Sequence, residues 1–455
     1  AAHQTKEKKL NWSWPQEVEY KRFIVPLQNV LNAAAPAIHD GTLDASLPSA
    51  AYQSASSVMW IERFSDDVAV AMSKAKPKTI RLTTTCGKII KFLCKQEKNG
   101  DLRKDNRLME FNHTVNRLLN EDAGGRRRNL RLRTYAVVCL NEECGILEWV
   151  DNTSCMRALI TEAHQAYPHD CPAIAGKEMF QQFMDGQEDH KNDLKDMVQN
   201  YHAVVLDHYR PCFHRWFLEA FPDPTAWLDA RAAFTRSSAV WSAVGHVVGL
   251  GDRHTENILL DTTNGECVHV DFDCLFDKGL TLARPEIVPF RLTPNMVDAM
   301  GLTGVEGTYR GTMEVTLGLL RDNKDTLLSV LEPFLRDPTV AWSRSGRAQR
   351  SLDTANQGGQ KHGGAAAFTE NADAKEALEK IGGRLSGVYN LVHPGAKRIK
   401  EAYIKRQMQP PQRGLGAQLD EALPLSVPGQ VARLIDEARC EENLAQMYVG
   451  WQPWA

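Results

Sequence analysis

Short runs of apolar residues, separated by proline and glycine, dominate the chain from about residue 58 to residue 96. The runs VAVAMS, TIRLT and KIIKFLCK are rich in β-branched residues, and KAKPK and TTCG separate them. This pattern predicts an antiparallel β-meander. The next segment, DNRLMEFNHTVNRLL, has apolar residues at helical spacing, including Leu108, Phe111 and Val115, and predicts a helix. Two more strand-like runs, RTYAVVCL and GILEWV, complete a small β-rich part.

After residue 150 the pattern becomes mostly helical. Helical spacing of apolar residues extends from MRALITEAHQAY through AWLDARAAFTRSSAVWSAVGHVVGL, and further helices are predicted to about Leu335. Two short strand-like runs, NILLD and CVHVDF, interrupt the helices, and Asn264–Gly265 between them is a strong hairpin-turn signal. A strand-rich part followed by a larger helical part predicts an α+β fold with two lobes.

The segments outside these two parts differ in composition. Residues 1–54 begin polar and Trp-rich and continue into a Pro-, Gly- and Ala-rich linker, which suggests the end of a preceding helical region. Residues 342–372 are poor in apolar residues and rich in Gly, Gln and Ser, a composition typical of disorder. Helical spacing returns in VARLIDEARCEENLAQMYVGW, whose apolar face consists of Val431, Leu434, Ile435 and Ala438.

Composition narrows the possible function classes. The net charge of −3 over 455 residues gives no global field that attracts nucleic acid or membranes, and no apolar run reaches the ~18 residues of a membrane span. The ten cysteines form no Cys-x-x-Cys pair, so they favour a reducing compartment over a zinc site. The chain begins at Ala1 without a signal-like apolar core, and we expect a carboxy-terminal piece of a longer protein.

One local basic run, GGRRRNLRLR (residues 124–133), stands out from this balanced charge. We interpret it as a loop that leads into the solvent face of a strand. A polyanion-binding site is the alternative.

The stretch GLGDRHTENILLDTTNGECVHVDFD, residues 249–273, carries the strongest chemical signal. Asp252 and Asn257 lie five residues apart, which is the interval between the catalytic aspartate and the metal-binding asparagine of protein kinases. Asn257 enters the first strand of the predicted hairpin and Asp271 ends the second, so the hairpin brings them together. Metal ions on ATP prefer carboxylate and amide oxygens. We therefore predict phosphoryl transfer, with Asn257 and Asp271 as metal ligands and Asp252 beside the acceptor hydroxyl.

The cation that phosphoryl transfer needs is predicted in the β-rich part. Lys95 ends the strand KIIKFLCK, which is the geometry of the phosphate-binding lysine of kinases, although a solvated edge lysine is the alternative. Asp105 begins the following helix, where its carboxylate is placed to orient Lys95. No glycine-rich phosphate loop precedes Lys95. We therefore expect Ser73 and the main-chain amides around it to donate hydrogen bonds to the phosphates of ATP.

The order Asp-Arg-His in GLGDRH, with Asn257 and the Asp-Phe pair at Asp271, resembles the phosphatidylinositol 3-kinase-like superfamily. The segments DLRKD, RTYAVVCLNEECGILEWV and PEIVPFRLT narrow the resemblance to the phosphatidylinositol 3-kinase-related protein kinases. The ending LSVPGQVARLIDEARCEENLAQMYVGWQPWA resembles their FATC segment. Within this family the sequence is most similar to the ATR-type checkpoint kinases, and to fungal members among them. The resemblance covers about residues 55–335 and 425–455.

The resemblance implies an α+β, bilobal protein-kinase-like fold of the PI3/PI4-kinase type. Its small N-lobe is β-rich, its large C-lobe is mostly helical, and FATC helices follow. Within the C-lobe it implies a catalytic loop at 249–257 and an activation segment at 271–289. The implied segments follow one another along the chain: the end of a FAT region and a linker (1–54), the N-lobe (55–150), the C-lobe (151–341), a partly disordered regulatory region (342–424) and FATC (425–455).

The resemblance also implies the nucleotide contacts. Lys95 would bind the ATP phosphates, and Asp105 would orient it. The other implied contacts surround the adenine: Tyr135 deep in the pocket, Trp149 stacked on the base, Val150 at the hinge, and Leu259 and Val270 on the floor.

Four residues within the stretch 249–273 would act on the metal and the acceptor. Asn257 and Asp271 would bind Mg²⁺, with Mn²⁺ as an alternative ion. Asp252 and His254 would act on the substrate hydroxyl, and which of the two accepts the proton stays open. Arg253 is expected to be a structural ion-pair partner.

Asp273 departs from the family pattern, because it occupies the third position of the Asp-Phe-Gly-like element. Glycine there would give the backbone freedom to flip. We expect Asp273 to disfavour such a flip without affecting metal binding through Asp271.

The implied function is an ATP-dependent serine/threonine protein kinase of the DNA-damage and replication-stress checkpoint, located in the nucleus. Its substrates would be proteins phosphorylated at Ser or Thr followed by Gln. It would need an ATRIP-like partner subunit, dimerise through regions mostly outside this chain, and reach single-stranded DNA through the partner rather than a membrane.

Two alternatives are a lipid kinase and a catalytically inactive scaffold. A lipid kinase carries a basic box in its activation segment, whereas CLFDKGLTLARPEIVPF has only Lys278 and Arg284. A scaffold loses the lysine and metal positions, which are present here.

The aromatic ending GWQPWA also has two interpretations. Trp and Tyr favour membrane interfaces, but we expect this segment to pack against the catalytic part near the activation segment.

Overall fold

The computed structural model describes residues 7–10, 13–14, 18–23, 25–27, 38–39, 42–43, 59–71, 76–96, 102–141, 144–167, 177–190, 193–336, 372–388 and 424–455. The chain divides into two compact units. The first contains Ala1–His113 and Thr134–Asp151, and the second contains Thr114–Arg133 and Asn152–Ala455. Ser73, most of the linker in 1–54 and the stretch expected to be disordered, Ala372 apart, lie outside the described residues.

The first unit contains an antiparallel sheet. The described strands of this sheet are β1 (Glu7–Leu10), β2 (Ile61–Phe64), β3 (Val68–Ala71), β4 (Lys78–Thr84), β5 (Ile89–Gln96), β6 (Val137–Cys139) and β7 (Cys144–Glu148). They lie in the order β1-β3-β4-β5-β7-β6, with β2 also paired to β4. The predicted meander is confirmed in β3, β4 and β5. The run RTYAVVCL forms a strand only at Val137–Cys139.

The core of this unit follows from the alternation of side chains along the strands. Ile80 and Leu82 of β4 point to one face and are buried, while Arg81 between them is half-buried. Ile80 pairs directly with Phe92 of β5, which is also buried. Cross-strand pairs of this kind stabilise a sheet by about 0.2–1 kcal/mol each, and they fix the register that places Lys95 near the end of β5.

The predicted amphipathic helix is α1 (Arg103–Glu121), whose residues Leu108, Phe111 and Val115 are buried. Asn106 Nδ2 donates to the Val137 carbonyl oxygen at 2.7 Å and ties the start of the helix to β6. Asp105 lies in the first turn, where the helix dipole favours a negative charge.

The second unit is mostly helical, as predicted. Its described helices are α2 (Ala123–Arg127), α3 (Met156–Ala166), α4 (Lys177–Asp189), α5 (Leu194–Tyr201), α6 (Phe213–Ala220), α7 (Pro224–Val248), α8 (Pro294–Ala299), α9 (Thr308–Asp322), α10 (Lys324–Arg336), α11 (Ala372–Arg384), α12 (Val427–Arg439) and α13 (Glu441–Gln446).

The long helix α7 leads directly into the candidate site. Asp223 caps its start by accepting hydrogen bonds from the amides of Thr225 and Ala226, and Pro224 occupies the first turn. The residues from Ser237 to Val248 are all buried, as expected of a helix surrounded by other elements. Such a helix gives the loop that follows it a fixed starting point.

A three-stranded antiparallel sheet lies beside this helix in the second unit. It consists of β8 (Thr153–Cys155), β9 (Ile258–Asp261) and β10 (Cys267–His269). The predicted hairpin is β9 and β10, and Asn264–Gly265 lies in its turn with Gly265 at φ +75°. Among the described residues, no helix is both long and apolar enough to cross a membrane.

The carboxy-terminal segment is packed into the second unit. The apolar face predicted for α12 is buried, and so is the aromatic ending from Trp451 to Ala455. The ring of Trp454 lies 5.8 Å from that of Phe180, 6.1 Å from that of Phe183 and 5.8 Å from that of Tyr209. This burial agrees with the packing interpretation of GWQPWA rather than the membrane one.

Replacing Trp454 with alanine is expected to lower the free energy of unfolding by about 3–5 kcal/mol, because the ring is almost fully buried. Chemical denaturation of the variant measures the loss. The matched control is Tyr448→Ala in the same segment, whose side chain is 54% exposed and whose removal should cost less than about 1 kcal/mol. Equal losses in both variants would contradict the packing described here.

Candidate active site

The loop that follows α7 begins at a glycine that the fold requires. Gly249 ends the helix in the left-handed conformation, at φ +62°. A Cβ atom there would lie 2.6 Å from the amide nitrogen of Asp277. Residues 249–257 therefore leave the helix in a fixed direction and connect it to β9.

The hairpin brings Asn257 and Asp271 together. Ile258 pairs with His269, and the Val270 amide donates to the Asn257 carbonyl oxygen at 3.0 Å. Asp271 is the next residue after Val270, at φ +62°, where the left-handed conformation ends the strand alternation. The predicted proximity of Asn257 and Asp271 is therefore present in the structure.

The two side chains have the chemistry of a magnesium site. Asn257 is buried and its Nδ2 donates to the Asp252 carbonyl oxygen at 2.8 Å, which leaves its Oδ1 for a ligand. The Asp271 side chain is exposed. Among the described residues no group of three His, Cys, Asp or Glu could hold a metal ion. One carboxylate and one amide oxygen fit Mg²⁺ that takes its remaining ligands from phosphates and water.

Arg253 holds the loop of residues 249–257 against the chain that follows β10. Its guanidinium is buried, and it donates to the carbonyl oxygens of Gly251 and Val270 at 2.9 Å each and to that of Asp271. Burial lowers the pKa of Arg253. The sequence predicted a structural ion-pair partner, but the hydrogen bonds of Arg253 go to main-chain carbonyls rather than to a carboxylate. Carbonyl dipoles solvate the buried charge and at the same time join the loop to β10.

Asp252 is held through its main chain. It adopts φ +58°, its amide donates to Glu286 Oε2 at 2.6 Å, and its carbonyl oxygen accepts from Asn257. Among the described residues, none makes a hydrogen bond to its carboxylate. The side chain is half-buried, so it is accessible to an acceptor group.

His254 is a neutral imidazole with a defined tautomer. Its Nδ1 accepts from the Glu256 amide at 3.2 Å, so the ring proton is on Nε2. Burial lowers the pKa of His254, although Asp252 and Glu256 act in the opposite direction. At pH 7 the ring is therefore a hydrogen-bond donor at Nε2.

Leu259 and Val270 share a face of the hairpin with Asn257. Leu259 pairs with Val268, and Val270 lies opposite Asn257, so alternation places these side chains on the same side. Leu259 and Val270 are both half-buried. This face offers a partly open apolar surface beside the candidate metal ligands.

The first unit carries the other candidate residues for nucleotide binding. Lys95 of β5 pairs with Gly145 of β7, and Asp105 is buried in the first turn of α1. The orientation of Lys95 by Asp105 stays a prediction. Tyr135 is buried, whereas Trp149 is 38% exposed and its ring centre lies 5.8 Å from Lys91 Nζ. Val150 follows it, half-buried.

The basic run of residues 124–133 has a structural use. Arg126 donates to the carbonyl oxygens of Asn120 and Glu121 and so closes the end of α1. Arg131 forms a bidentate pair with the buried carboxylate of Glu266 at 2.9 and 3.0 Å, and Arg133 pairs with the buried Asp261. These contacts support the structural interpretation of the run over a polyanion site.

Family models and relatives identify the fold that carries this geometry. The model described as phosphatidylinositol 3- and 4-kinase matches residues 90–344, which is more than half of the chain. The chain belongs to the phosphatidylinositol 3- and 4-kinase family. The FATC domain model matches residues 424–455. The resemblance deduced from the sequence, and the PI3/PI4-kinase type of fold that it implied, are therefore confirmed.

Curated relatives are similar over most of this chain. "Serine/threonine-protein kinase ATR" of Oryza sativa subsp. indica is 39% identical over 431 residues, 95% of this chain and 14% of that protein. "Protein kinase rad3" of Schizosaccharomyces pombe is 40% identical over 395 residues, 86% of this chain and 14% of that protein. This family member thus spans about one seventh of the length of these relatives.

Solved structures of the same family share its fold. The structure titled "FAT and kinase domain of CtTel1" superposes with a TM-score of 0.70 at 29% identity. The match covers 97% of this chain and 27% of that one.

In this family member the FATC segment contacts residues 249–257, the expected catalytic loop, directly. Thr255 Oγ1 donates to Gln452 Oε1 at 2.6 Å. The buried Arg291 guanidinium donates to the Arg253 carbonyl oxygen at 3.3 Å and to those of Trp451 and Gln452 at 2.6 Å each. Sequence reasoning missed these contacts, although Arg291 lies in the PEIVPFRLT segment that it quoted for the resemblance.

Residues 271–289, the expected activation segment, are held by two ion pairs and a hydrogen bond to residues of the same unit. Asp273 accepts from Lys278 Nζ at 2.7 Å, and Arg284 donates to Gln187. Asp277 pairs with Arg384 of α11 at 2.6 Å. Burial alone would raise the pKa of Asp277, but the charge and hydrogen bond of Arg384 lower it. The helix α11, from the expected regulatory region, therefore contacts the activation segment.

His254 should remain neutral at pH 7, because burial lowers its pKa below the ordinary value of 6.5. We expect ¹⁵N NMR of the imidazole to show the proton on Nε2 and to show protonation only as the pH falls below 6.5. The His254→Gln variant assigns the signal by its disappearance. A protonated ring at pH 7, or a proton on Nδ1, would contradict this assignment.

Proposed function

We propose that this chain is the catalytic portion of an ATP-dependent serine/threonine protein kinase of the DNA-damage and replication-stress checkpoint. The observation that carries the proposal is the approach of Asn257 and Asp271 across the β9–β10 hairpin, with Asp252 held at the start of the same loop. The proposal is supported by the relatives named serine/threonine-protein kinase ATR and protein kinase rad3.

In this proposal Asn257 and Asp271 hold Mg²⁺, with Mn²⁺ as an alternative, on the phosphates of ATP. The ion supplies neutralisation of the charge that develops during transfer. In the first unit, Lys95 binds the phosphates, Asp105 orients it, and Ser73 adds a donor. The adenine contacts are Tyr135, Trp149, Val150, Leu259 and Val270.

We assign the proton acceptor to Asp252 and a donor role to His254. The Asp252 carboxylate is accessible and has no hydrogen bond among the described residues, which suits a general base. His254 has its proton on Nε2, so this nitrogen stabilises negative charge on the transferring group instead of removing a proton.

The biological setting is proposed from the same resemblance. The substrates are proteins with Ser or Thr followed by Gln, and the site of action is the nucleus. An ATRIP-like subunit binds the longer protein and recruits it to single-stranded DNA. Homodimerisation is proposed as well, since one similar solved structure is titled a complete CtTel1 dimer with C2 symmetry. The domain boundaries given above belong to this proposal.

The two alternatives, a lipid kinase and an inactive scaffold, fit the structure less well. Its basic residues Lys278 and Arg284 contact Asp273 and Gln187, so they are engaged within the protein rather than presented as a box for inositol phosphates. An inactive scaffold would not need an accessible Asp252 carboxylate beside the Asp271 carboxylate and the Asn257 amide. Protein phosphorylation therefore fits the site better than either alternative.

Substrate assays test the proposal. With ATP and Mg²⁺, we expect transfer to a Ser-Gln peptide and not to phosphoinositide vesicles. Asp271→Ala should lower the rate at least about 1,000-fold, because it removes a ligand of the ion that neutralises the phosphates. Asp229→Ala, an exposed site on α7, is the matched control and should leave the rate unchanged. Turnover of lipid alone, or an active Asp271→Ala enzyme, would contradict the proposal.

Deleting residues 450–455 should abolish peptide phosphorylation in solution. The deletion removes the Gln452 contact to Thr255 and the carbonyl oxygens that anchor Arg291, so the catalytic loop loses its support. Activity is measured with the Ser-Gln peptide, with and without lipid vesicles. If the tail served a membrane instead, the truncated chain would remain active in vesicle-free buffer.

A further inference from the structure

Glu286 is a half-buried acid that contacts the expected catalytic loop, residues 249–257. Its Oε2 accepts the Asp252 amide hydrogen at 2.6 Å, across 34 positions of sequence. Two glycines enclose the carboxylate. A Cβ atom on Gly251 would lie 2.9 Å from Oε2, and one on Gly279 would lie 3.0 Å from it. The amide of Glu286 also donates to the Gly279 carbonyl oxygen at 3.1 Å, which fixes the residue on its own segment.

The residue that Glu286 contacts has a strained backbone. Asp252 adopts φ +58°, a left-handed conformation that non-glycine residues rarely adopt and that costs free energy. Its peptide groups are held at both ends, the amide by Glu286 and the carbonyl by Asn257. These two hydrogen bonds set the direction in which the Asp252 side chain leaves the loop.

We propose that Glu286 is a positioning residue for Asp252, whose carboxylate it aims at the acceptor hydroxyl by fixing the Asp252 amide. This inference rests on the proposed kinase function, because Asp252 is the proton acceptor in it. The hydrogen bonds of Glu286 go to the main chain of Asp252 and Gly279, so in this proposal it acts only through the loop. Misplacement of a reacting group by about 1 Å can lower a rate about 100-fold.

The charged and titratable groups that face Glu286 come from three segments. Asp252 and Arg253 belong to the catalytic loop, Cys274 to the start of the activation segment, and Arg291 to the segment after it. Burial raises the pKa of Glu286 and the charge of Asp252 adds to this, while the Asp252 amide and the two arginines act in the opposite direction. The resulting pKa is about 7.

The sign of the pH effect follows from this value. Above pH 7 the carboxylate accepts a charge-assisted hydrogen bond from the Asp252 amide, and below pH 7 the protonated acid accepts a weaker one. We expect kcat to fall as the pH drops through about 7. Glutamine keeps an acceptor oxygen of the same shape but does not titrate, so Glu286→Gln should lose this limb.

Kinetics in the full chain with a Ser-Gln peptide test the role. Glu286→Ala should lower kcat roughly 10- to 100-fold, with the KM for ATP changed less than about twofold. Glu286→Gln should have a kcat within about threefold of the wild type's at pH 8, at the level that the wild type reaches below pH 7, and it should lack the wild type's fall through about pH 7. Glu306→Gln, at an exposed glutamate, should match the wild type throughout. A merely structural glutamate would not move the pH profile.

Hydrogen exchange supplies a readout that does not depend on activity. The amide of Asp252 should exchange at least about tenfold faster in Glu286→Ala than in the wild type, and at nearly the wild-type rate in Glu286→Gln. If the wild type transfers no phosphate, the kinase function fails while the exchange measurement still judges Glu286. If Glu286→Ala does not fold, the pH profile of Glu286→Gln decides: loss of the fall through about pH 7 supports the proposal, and an unchanged profile overturns it. Unchanged exchange and an unchanged pH profile in the variants would overturn the proposal.

Discussion

The buried guanidinium of Arg253 is the interaction on which the site depends. A full charge in the interior must be solvated by protein dipoles, and here the carbonyl oxygens of Gly251, Val270 and Asp271 do so. Two of these carbonyls belong to the chain that leaves β10, and one belongs to the loop after α7. Removing Arg253 would leave all three unsatisfied, so loop and strand are held as one piece and Asp252 and Asp271 keep their relative positions.

A second buried arginine extends this frame to the end of the chain. Arg291 joins the carbonyl of Arg253 to those of Trp451 and Gln452, and its guanidinium carbon lies 4.3 Å above the Trp451 ring. The FATC segment therefore helps to support the loop of residues 249–257 and is not an appended domain. This agrees with its inclusion in the second compact unit with the loop. A disturbance at the tail has a direct path to Thr255 and the site.

Local features of the fold were predictable because their causes are local. Asn264–Gly265 specifies the turn, and the turn with strand alternation fixes which residues oppose Asn257. The contacts of Glu286 and Arg291 were not predictable, since they join residues 34 and 160 positions apart and leave no periodic signal. Burial decides their importance, and burial depends on the complete chain. Arg253 was recognised as structural, but its partners are carbonyls, which every residue has and no sequence distinguishes.

The aspartate at position 273 shows how backbone strain is distributed at this site. The family pattern has glycine there, which suggests a need for a left-handed residue, but Asp273 is not among the described residues with positive φ. The left-handed residues of this segment are Asp271, Phe276 and Asp277 instead. Their strain is offset by hydrogen bonds, from Arg253 to the Asp271 carbonyl and from Arg384 to Asp277. Position 273 is thus free to carry a side chain that pairs with a lysine of its own segment.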